Sequence, residues 1–399
     1  MMILFAQKKD CCGCSACKNI CPSNAITMEP DEEGFLYPNI NHLICKECGL
    51  CIQVCAFQNG YDTSKNIDIP EVYAVKHMSD EVRQNSTSGG AFTAISDYIL
   101  SHHGVIYGAG FDEAFRVYHQ RAETSSDRDH FRGSKYVQSD LGTVFSQVKE
   151  DLQNNRRVLF TGTPCQVAGL YTYLGKAKVN LSYLLTIDFI CRGTPSPKVF
   201  ADHISFLEKK NKNKIVHYAF RSKVLGWGRH TEEIVFRNRK VDYTSLSSQL
   251  YKYLFHSRLC LRPSCHHCRY TNTNRPGDIT IGDYWGIDKI FPAFNDVLGV
   301  SVMINNTEKG KAVYTDILDN IESIPSNLKD CAFKQESLRM PAPENPRRKA
   351  FWDDYLSRGY KYVLNKYTKY GKRNTPKKII KRILRKLNIL ETVSSAHQK

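Results

Sequence analysis

The sequence predicts a small cysteine-rich α+β domain, a larger α/β domain and a basic helical tail, over residues 1–65, 72–325 and 326–399. Three observations predict this order: two matching cysteine runs near the start, alternating strand and helix signals from about Val72, and lysine and arginine gathered at the end. The 399 residues suit about two or three domains with a real core. Hydrophobic content of 41% and charged content of 24% are ordinary for a globular chain.

The first domain is read from its cysteines. Cys11, Cys14, Cys17 and Cys21 are followed by Pro22, and Cys45, Cys48, Cys51 and Cys55 repeat the spacing 34 residues later. Each run is C-x2-C-x2-C-x3-C, the bacterial ferredoxin arrangement for two 4Fe-4S clusters. Three thiolates on one short loop reach three corners of a cube, and the fourth ligates the other cube. The expected sets are therefore Cys11, Cys14, Cys17 and Cys55, and Cys45, Cys48, Cys51 and Cys21. A single CxxC would suit zinc or a disulfide equally well; two full copies point to electron handling. Between the runs, AITMEP and GFLYPNI read as a hairpin around Asp31-Glu32-Glu33-Gly34. Residues 58–72, with Gly60 and Pro70, read as a linker.

The second domain alternates strands with helices. VYAVKH, GVIYGAGF, RVLFTGTP and LLTIDFICRGTPS are strand-like, and SGGAFTAISDYILSH, CQVAGLYTYLG and PKVFADHISFLEKK are helical. This order predicts α/β units with a largely parallel sheet. IVHYAFR and EIVFRN read as an antiparallel pair, and DITIGDYWG and VSVMINN close the region before the helix EKGKAVYTDILDNI.

Small-residue turns at strand-to-helix junctions are candidate ligand sites, because helix N-termini offer free N–H groups to phosphate. Ser88-Gly89-Gly90 and Gly162-Thr163-Pro164-Cys165-Gln166 lie at such junctions, and Gly133-Ser134-Lys135 adds a cation. None fits GxGxxG or a P-loop, and helix-capping turns that bind nothing are the plain alternative. A further cysteine set comprises Cys191 and the run CLRPSCHHC with Cys260, Cys265 and Cys268. A third cluster, a zinc site recruiting His266 or His267, and plain buried thiols all suit this set. Cys331 reads as a buried thiol, Cys12 fits no set, and Trp285 is either a wall for a planar ring or a core tryptophan.

The formal charge of +16 is local: Tyr355 to Leu390 carries twelve Lys or Arg and no acid, so the rest holds only +4 of the 16. In KKIIKRILRKLNIL (377–390), Ile379, Ile380, Ile383, Leu384 and Leu387 recur at helical spacing among six cations. Such a helix lies on an anionic membrane or an acidic partner, or buries its stripe on its own core. Nucleic acid is disfavoured because the apolar stripe would have no use. Reduced thiols for iron ligation, a short apolar start before Lys8 and Lys9, and no apolar run near roughly 18 residues predict a cytoplasmic chain. Its tail would place it peripherally at the inner membrane face.

Taken in order, the dicluster start, Ser88-Gly89-Gly90, GSKYVQS (133–139), GTPCQVAGL (162–170), CRGTPS (191–196), CLRPSCHHC (260–268) and DITIGDYWG (278–286) resemble the family of coenzyme F-420 hydrogenase/dehydrogenase beta subunits over about residues 5–310. The resemblance implies an α+β ferredoxin-like dicluster domain followed by an α/β flavin-binding domain. It implies FAD in contact with Ser88, Gly89, Gly90, Gly133, Ser134, Lys135, Gly162, Thr163, Pro164, Cys165 and Gln166, and favours a third cluster over zinc. The implied activity is electron passage between clusters and FAD, with hydride exchange to a deazaflavin coenzyme or another organic acceptor. A reductase of polysaccharide biosynthesis not using the deazaflavin, and a non-catalytic electron carrier docked on a partner enzyme, are the alternatives. No residue stands out as a general acid or base.

Overall fold

The computed structural model describes residues 3–372. In the N-terminal domain, β1 (Ile26–Pro30) and β2 (Leu36–Ile40) form the expected antiparallel hairpin, with Ile26 opposite Ile40. Asp31 makes its turn by accepting from the Glu33 and Phe35 N–H groups at 3.1 and 2.9 Å. Gly34 has φ +85°, and a Cβ there would lie 2.5 Å from Lys198 Cβ, so the turn sits directly on the helix Pro197–Asn211. The buried pair Glu33–Arg348 fastens the same turn to the helix Arg348–Arg358.

The central sheet has eight strands in the order β13-β3-β12-β11-β7-β6-β4-β5. The strands are β3 (Asn66–His77), β4 (Val105–Phe111), β5 (Val117–Ala122), β6 (Val158–Gly162), β7 (Leu184–Phe189), β8 (Ile215–Ser222), β9 (Thr231–Phe236), β10 (Val241–Asp242), β11 (Ile279–Asp283), β12 (Ser301–Thr307) and β13 (Ile321–Ser326). The sheet is mixed, where a largely parallel one is expected. β4, β6, β7 and β11 run parallel, and the neighbours outside them pair antiparallel. The parallel strands are those joined by crossover helices; the others return through shorter connections.

Alternation along β6 explains the layering. Val158 and Phe160 face the helices Val144–Gln153 and Pro164–Lys176, and Leu159 faces the helix Ala91–Ser101. All five residues of β6 are buried, as an interior parallel strand requires. A second core lies under the three-stranded sheet β10-β9-β8. There Phe200, Tyr251 and Phe236 pack with Phe351, Trp352, Val363 and Leu364.

Two boundaries differ from expectation. The stretch read as a linker contains the helix Ala56–Asn59 and the first half of β3. Pro70 is tolerated because β13 pairs only with residues 72–77 of β3, and β12 loses register beyond Glu71. The extension predicted from 326 does not stand apart either: the helices Arg348–Arg358 and Tyr360–Tyr367 are built into the second core. The basic helix predicted over 377–390 lies outside the described residues. No helix among the described residues is long and apolar enough to cross a membrane.

Candidate functional site

The eight N-terminal cysteines line two hollows. One gathers Cys11, Cys14, Cys17 and Cys55, the other Cys21, Cys45, Cys48 and Cys51. The crossed sharing follows from two loops of one conformation. Gly13 and Ser15 in the first loop, and Glu47 and Gly49 in the second, take left-handed φ at corresponding places. Such alternation turns successive N–H groups inward, as iron–sulfur loops do. The Ala25 N–H also donates to Cys21 Sγ at 3.3 Å. Cys48 is exposed while Cys14 is buried, which makes one hollow outer and the other inner.

The inner hollow rests on the helix Pro164–Lys176. Gly169 permits this: a Cβ there would lie 2.8 Å from Cys14 Sγ. Thr172 Oγ1 donates to the Val54 carbonyl at 2.7 Å across the same contact.

Beyond that helix, a cavity of about 290 Å³ opens at the carboxyl ends of the parallel strands. This is near the lower limit of the roughly 300–1,000 Å³ usual for small-molecule sites. Ser88, Gly90, Gly133, Ser134 and Lys135 line one part, and Thr163, Cys165, Gln166 and Cys191 another. The Ser134 N–H donates to Thr87 Oγ1 at 2.9 Å, which binds the first two loops together. Lys223, donating to the Ser88 carbonyl at 2.7 Å, fixes them from beneath. The helix Ala91–Ser101 begins at Gly90, φ +93°, without a side-chain cap. Lys135 Nζ donates to the His130 and Arg132 carbonyls at 2.8 Å, and burial pulls its pKa down to about 7.

Three predicted contacts lie off the cavity wall: Gly89, Gly162 and Pro164. A Cβ on Gly89 would meet the Val75 carbonyl at 2.2 Å and Ser301 N at 2.6 Å, so this glycine serves the approach of the loop to β3 and β12. Gly89→Ala is expected to destabilise the chain by about 1–3 kcal/mol through overpacking, read as a lower urea midpoint. An unchanged midpoint would show that the two strands can part. Gly162 is enclosed by Phe160 and Gln166 at 3.0 and 3.1 Å. The following helix caps itself: the Thr163 N–H donates to Gln166 Oε1 at 2.9 Å, and the Thr163 side chain accepts from the Gln166 N–H. Its N-terminus is thus spoken for, and the uncapped one at Gly90 is the better phosphate cradle.

The later cysteines assemble differently from the expected set. Cys191, Cys265 and Cys268 share one environment with Cys165, and Cys12 joins them from the first loop. The Gly193 and Thr194 N–H groups donate to Cys191 and Cys265 Sγ at 3.4 and 3.3 Å. Cys260 is excluded from this group. An antiparallel bridge between Pro195 and Leu261 directs its side chain into the second core beside Phe35 and Tyr251. Hydrogen bonds from Cys12 and then Thr163 bring the Cys165 thiol down to about 7, the direction that favours a thiolate ligand. His266, the zinc alternative, places Nδ1 at 2.8 Å from the Ala342 carbonyl, beside Glu344. Among the described residues no three His, Cys, Asp or Glu side chains close on a single ion, which holds for the ferredoxin loops too.

Sequence reasoning missed Arg262, His119 and the place of Cys12. Arg262 is buried, stacks 4.0 Å from the Tyr37 ring centroid and donates Nε to the Cys11 carbonyl at 2.9 Å. Its position within the CLRPSC run was the available signal. His119 lines the cavity with both nitrogens engaged, by Ser139 Oγ at 2.6 Å and the Thr161 carbonyl at 2.9 Å. Burial holds its pKa at about 4, so it is a neutral wall and no free acid or base. Trp285 stacks between Trp227 and His230 at 4.7 and 5.0 Å and does not line the cavity. Cys331 is a buried thiol donating to the Leu328 carbonyl, as read.

Comparison with known proteins places this geometry. Residues 10–59 match the 4Fe-4S dicluster domain, and residues 155–327 match the C terminus of the coenzyme F420 hydrogenase/dehydrogenase beta subunit. The F subunit of the F(420)H(2) dehydrogenase of Methanosarcina mazei is 21% identical over 327 residues, covering 79% of this chain and 84% of the relative. A chain of the F420-reducing [NiFe] hydrogenase complex from Methanosarcina barkeri superimposes with a TM-score of 0.47 at 17% identity, over 73% of this chain and 94% of that one. The chain belongs to the family of coenzyme F420 hydrogenase/dehydrogenase beta subunits and carries its own two-cluster ferredoxin domain for electron transfer.

Proposed function

We propose that the chain is an iron–sulfur flavoprotein oxidoreductase. In this reading FAD occupies the central cavity, and hydride is exchanged with the deazaflavin F420 or another organic acceptor. The observation that carries it is the cavity itself: phosphate-type loops at one part and a cysteine group at another, with Cys12 and Gly13 lining both it and the inner hollow. Residues 86–92 and 133–135 would hold the pyrophosphate, since Gly133 has φ +79° with open space around it and the helix at Gly90 is uncapped. Bound flavin would supply the junction between two-electron hydride and one-electron cluster chemistry. Cys165, Cys191, Cys265 and Cys268 would hold a third 4Fe-4S cluster, in place of the set containing Cys260. Two N–H donors already aimed at their sulfurs suit such a group.

The test is FAD titration of anaerobically purified chain. A phosphate beside Lys135 favours the charged amine, whereas burial holds it at about 7 without ligand. Affinity is therefore expected to be flat below pH 7 and to fall above it, where binding must take up a proton. Lys135→Met is expected to weaken binding about ten- to a hundredfold, the worth of a charged hydrogen bond, and to flatten the pH profile. No saturable binding by the wild-type chain sinks the flavin reading.

A partner protein is the expected source or sink of electrons at the outer cluster. Cys48 is exposed there, and Leu43, 95% exposed, stands beside Ile44 and Ile52 on the same rim. The Methanosarcina mazei relative is itself named as one subunit among others.

A further inference from the structure

Tyr270 follows Cys268 by two residues, and its side chain is 1% exposed. Tyr61 and Phe57 hold the ring, with centroids 4.9 and 6.1 Å away. Its hydroxyl is buried yet has no hydrogen-bond partner among the described residues. A buried donor left unmade is costly, so such a group implies a missing acceptor. The groups around Tyr270 are thiols: Cys12, Cys165, Cys14 and Cys268. Cys12 stands among the same residues. It packs with Cys55 on one side and Cys165 and Cys268 on the other, and is hydrogen-bonded to both Cys14 and Cys165.

Resting on the three-cluster reading above, we infer that Tyr270 and Cys12 are hydrogen-bond donors to the sulfurs between the inner ferredoxin cluster and the cluster of Cys165, Cys191, Cys265 and Cys268. Both are positioning residues: neither gains nor loses an electron. A donor at a cluster sulfur stabilises the reduced, more negative state and so raises the midpoint potential. Tyr270 tunes the third cluster, and Cys12, touching a ligand of each, joins the two. The hydroxyl of Tyr270 thereby finds the acceptor that the protein alone does not give it.

The experiment is an EPR-monitored redox titration of the full chain, purified anaerobically, with iron counted in every sample. Tyr270→Phe is expected to move the third-cluster midpoint to a more negative value with the outer cluster unmoved. Cys12→Ala is expected to lower the inner and third midpoints together, and Cys12→Ser, which keeps a donor, to restore them. Tyr270→Phe with full iron and unchanged midpoints overturns the inference while leaving the third cluster standing. Wild-type chain with about eight iron atoms and two cluster signals overturns the three-cluster reading first, and the inference with it.

Discussion

Cys165→Ala is expected to lower bound iron from about twelve atoms per chain to about eight, at four per cluster, while Cys260→Ala leaves about twelve. The two thiols differ in surroundings and not in burial. Cys165 sits at the cavity beside Cys12, Cys191, Cys265 and Cys268, whereas Cys260 packs in an apolar core. Losing a sulfur from that core should cost on the order of 1 kcal/mol, as other small core deletions do, and no iron. Parallel assays of iron and acid-labile sulfide decide the matter. Iron retained by Cys165→Ala, or lost from Cys260→Ala, would return the fourth ligand to the 260–268 run.

Arg275→Met should be the most destabilising change of those considered, by about 3–5 kcal/mol, because it leaves a buried carboxylate without its cation. Asp188 is 0% exposed and its Oδ1 accepts from Arg275 Nη2 at 2.7 Å, Arg275 Nε at 3.1 Å and Thr280 Oγ1 at 2.9 Å. Its Oδ2 accepts the Gly277 N–H at 2.9 Å. Arg275 also donates to the Tyr270 carbonyl at 2.6 Å, so the pair secures the segment behind Cys268 as well as the joint between β7 and β11. Urea denaturation should show the loss as a lower midpoint. Adding Asp188→Asn to the same chain removes the stranded charge but keeps an acceptor for Gly277, and should recover part of it. A single variant as stable as wild type would mean that water reaches Asp188.

Local rules carried much of the fold. The hairpin followed from Asp31 and Gly34, the cluster pairing from cysteine spacing, and the parallel strands from runs such as Val158–Gly162. What sequence did not reveal depends on contacts across the chain. Pro70 read as a breaker because the end of β13 cannot be seen from the residues near it. Cys260 read as a ligand because C-x4-C-x2-C does not show that Ser196 N binds the Cys260 carbonyl at 2.9 Å and fixes its direction. Gly89 read as a ligand loop, yet its constraint comes from Val75 and Ser301, far away in sequence. The role of Tyr270 was invisible for the same reason: an unpartnered hydroxyl is a property of the assembled core.

The clasp between Glu33 and Arg348 sets an order of events during synthesis. Its two halves are 315 residues apart, so at about 5–20 residues per second the hairpin waits roughly 15–60 s for the arginine to be made. Throughout that interval the ferredoxin loops have left the ribosome, but the helices that hold the Glu33 turn have not been translated. The cysteines are then open to whatever delivers iron and sulfide. The arrival of the helix Arg348–Arg358 comes last and closes that period.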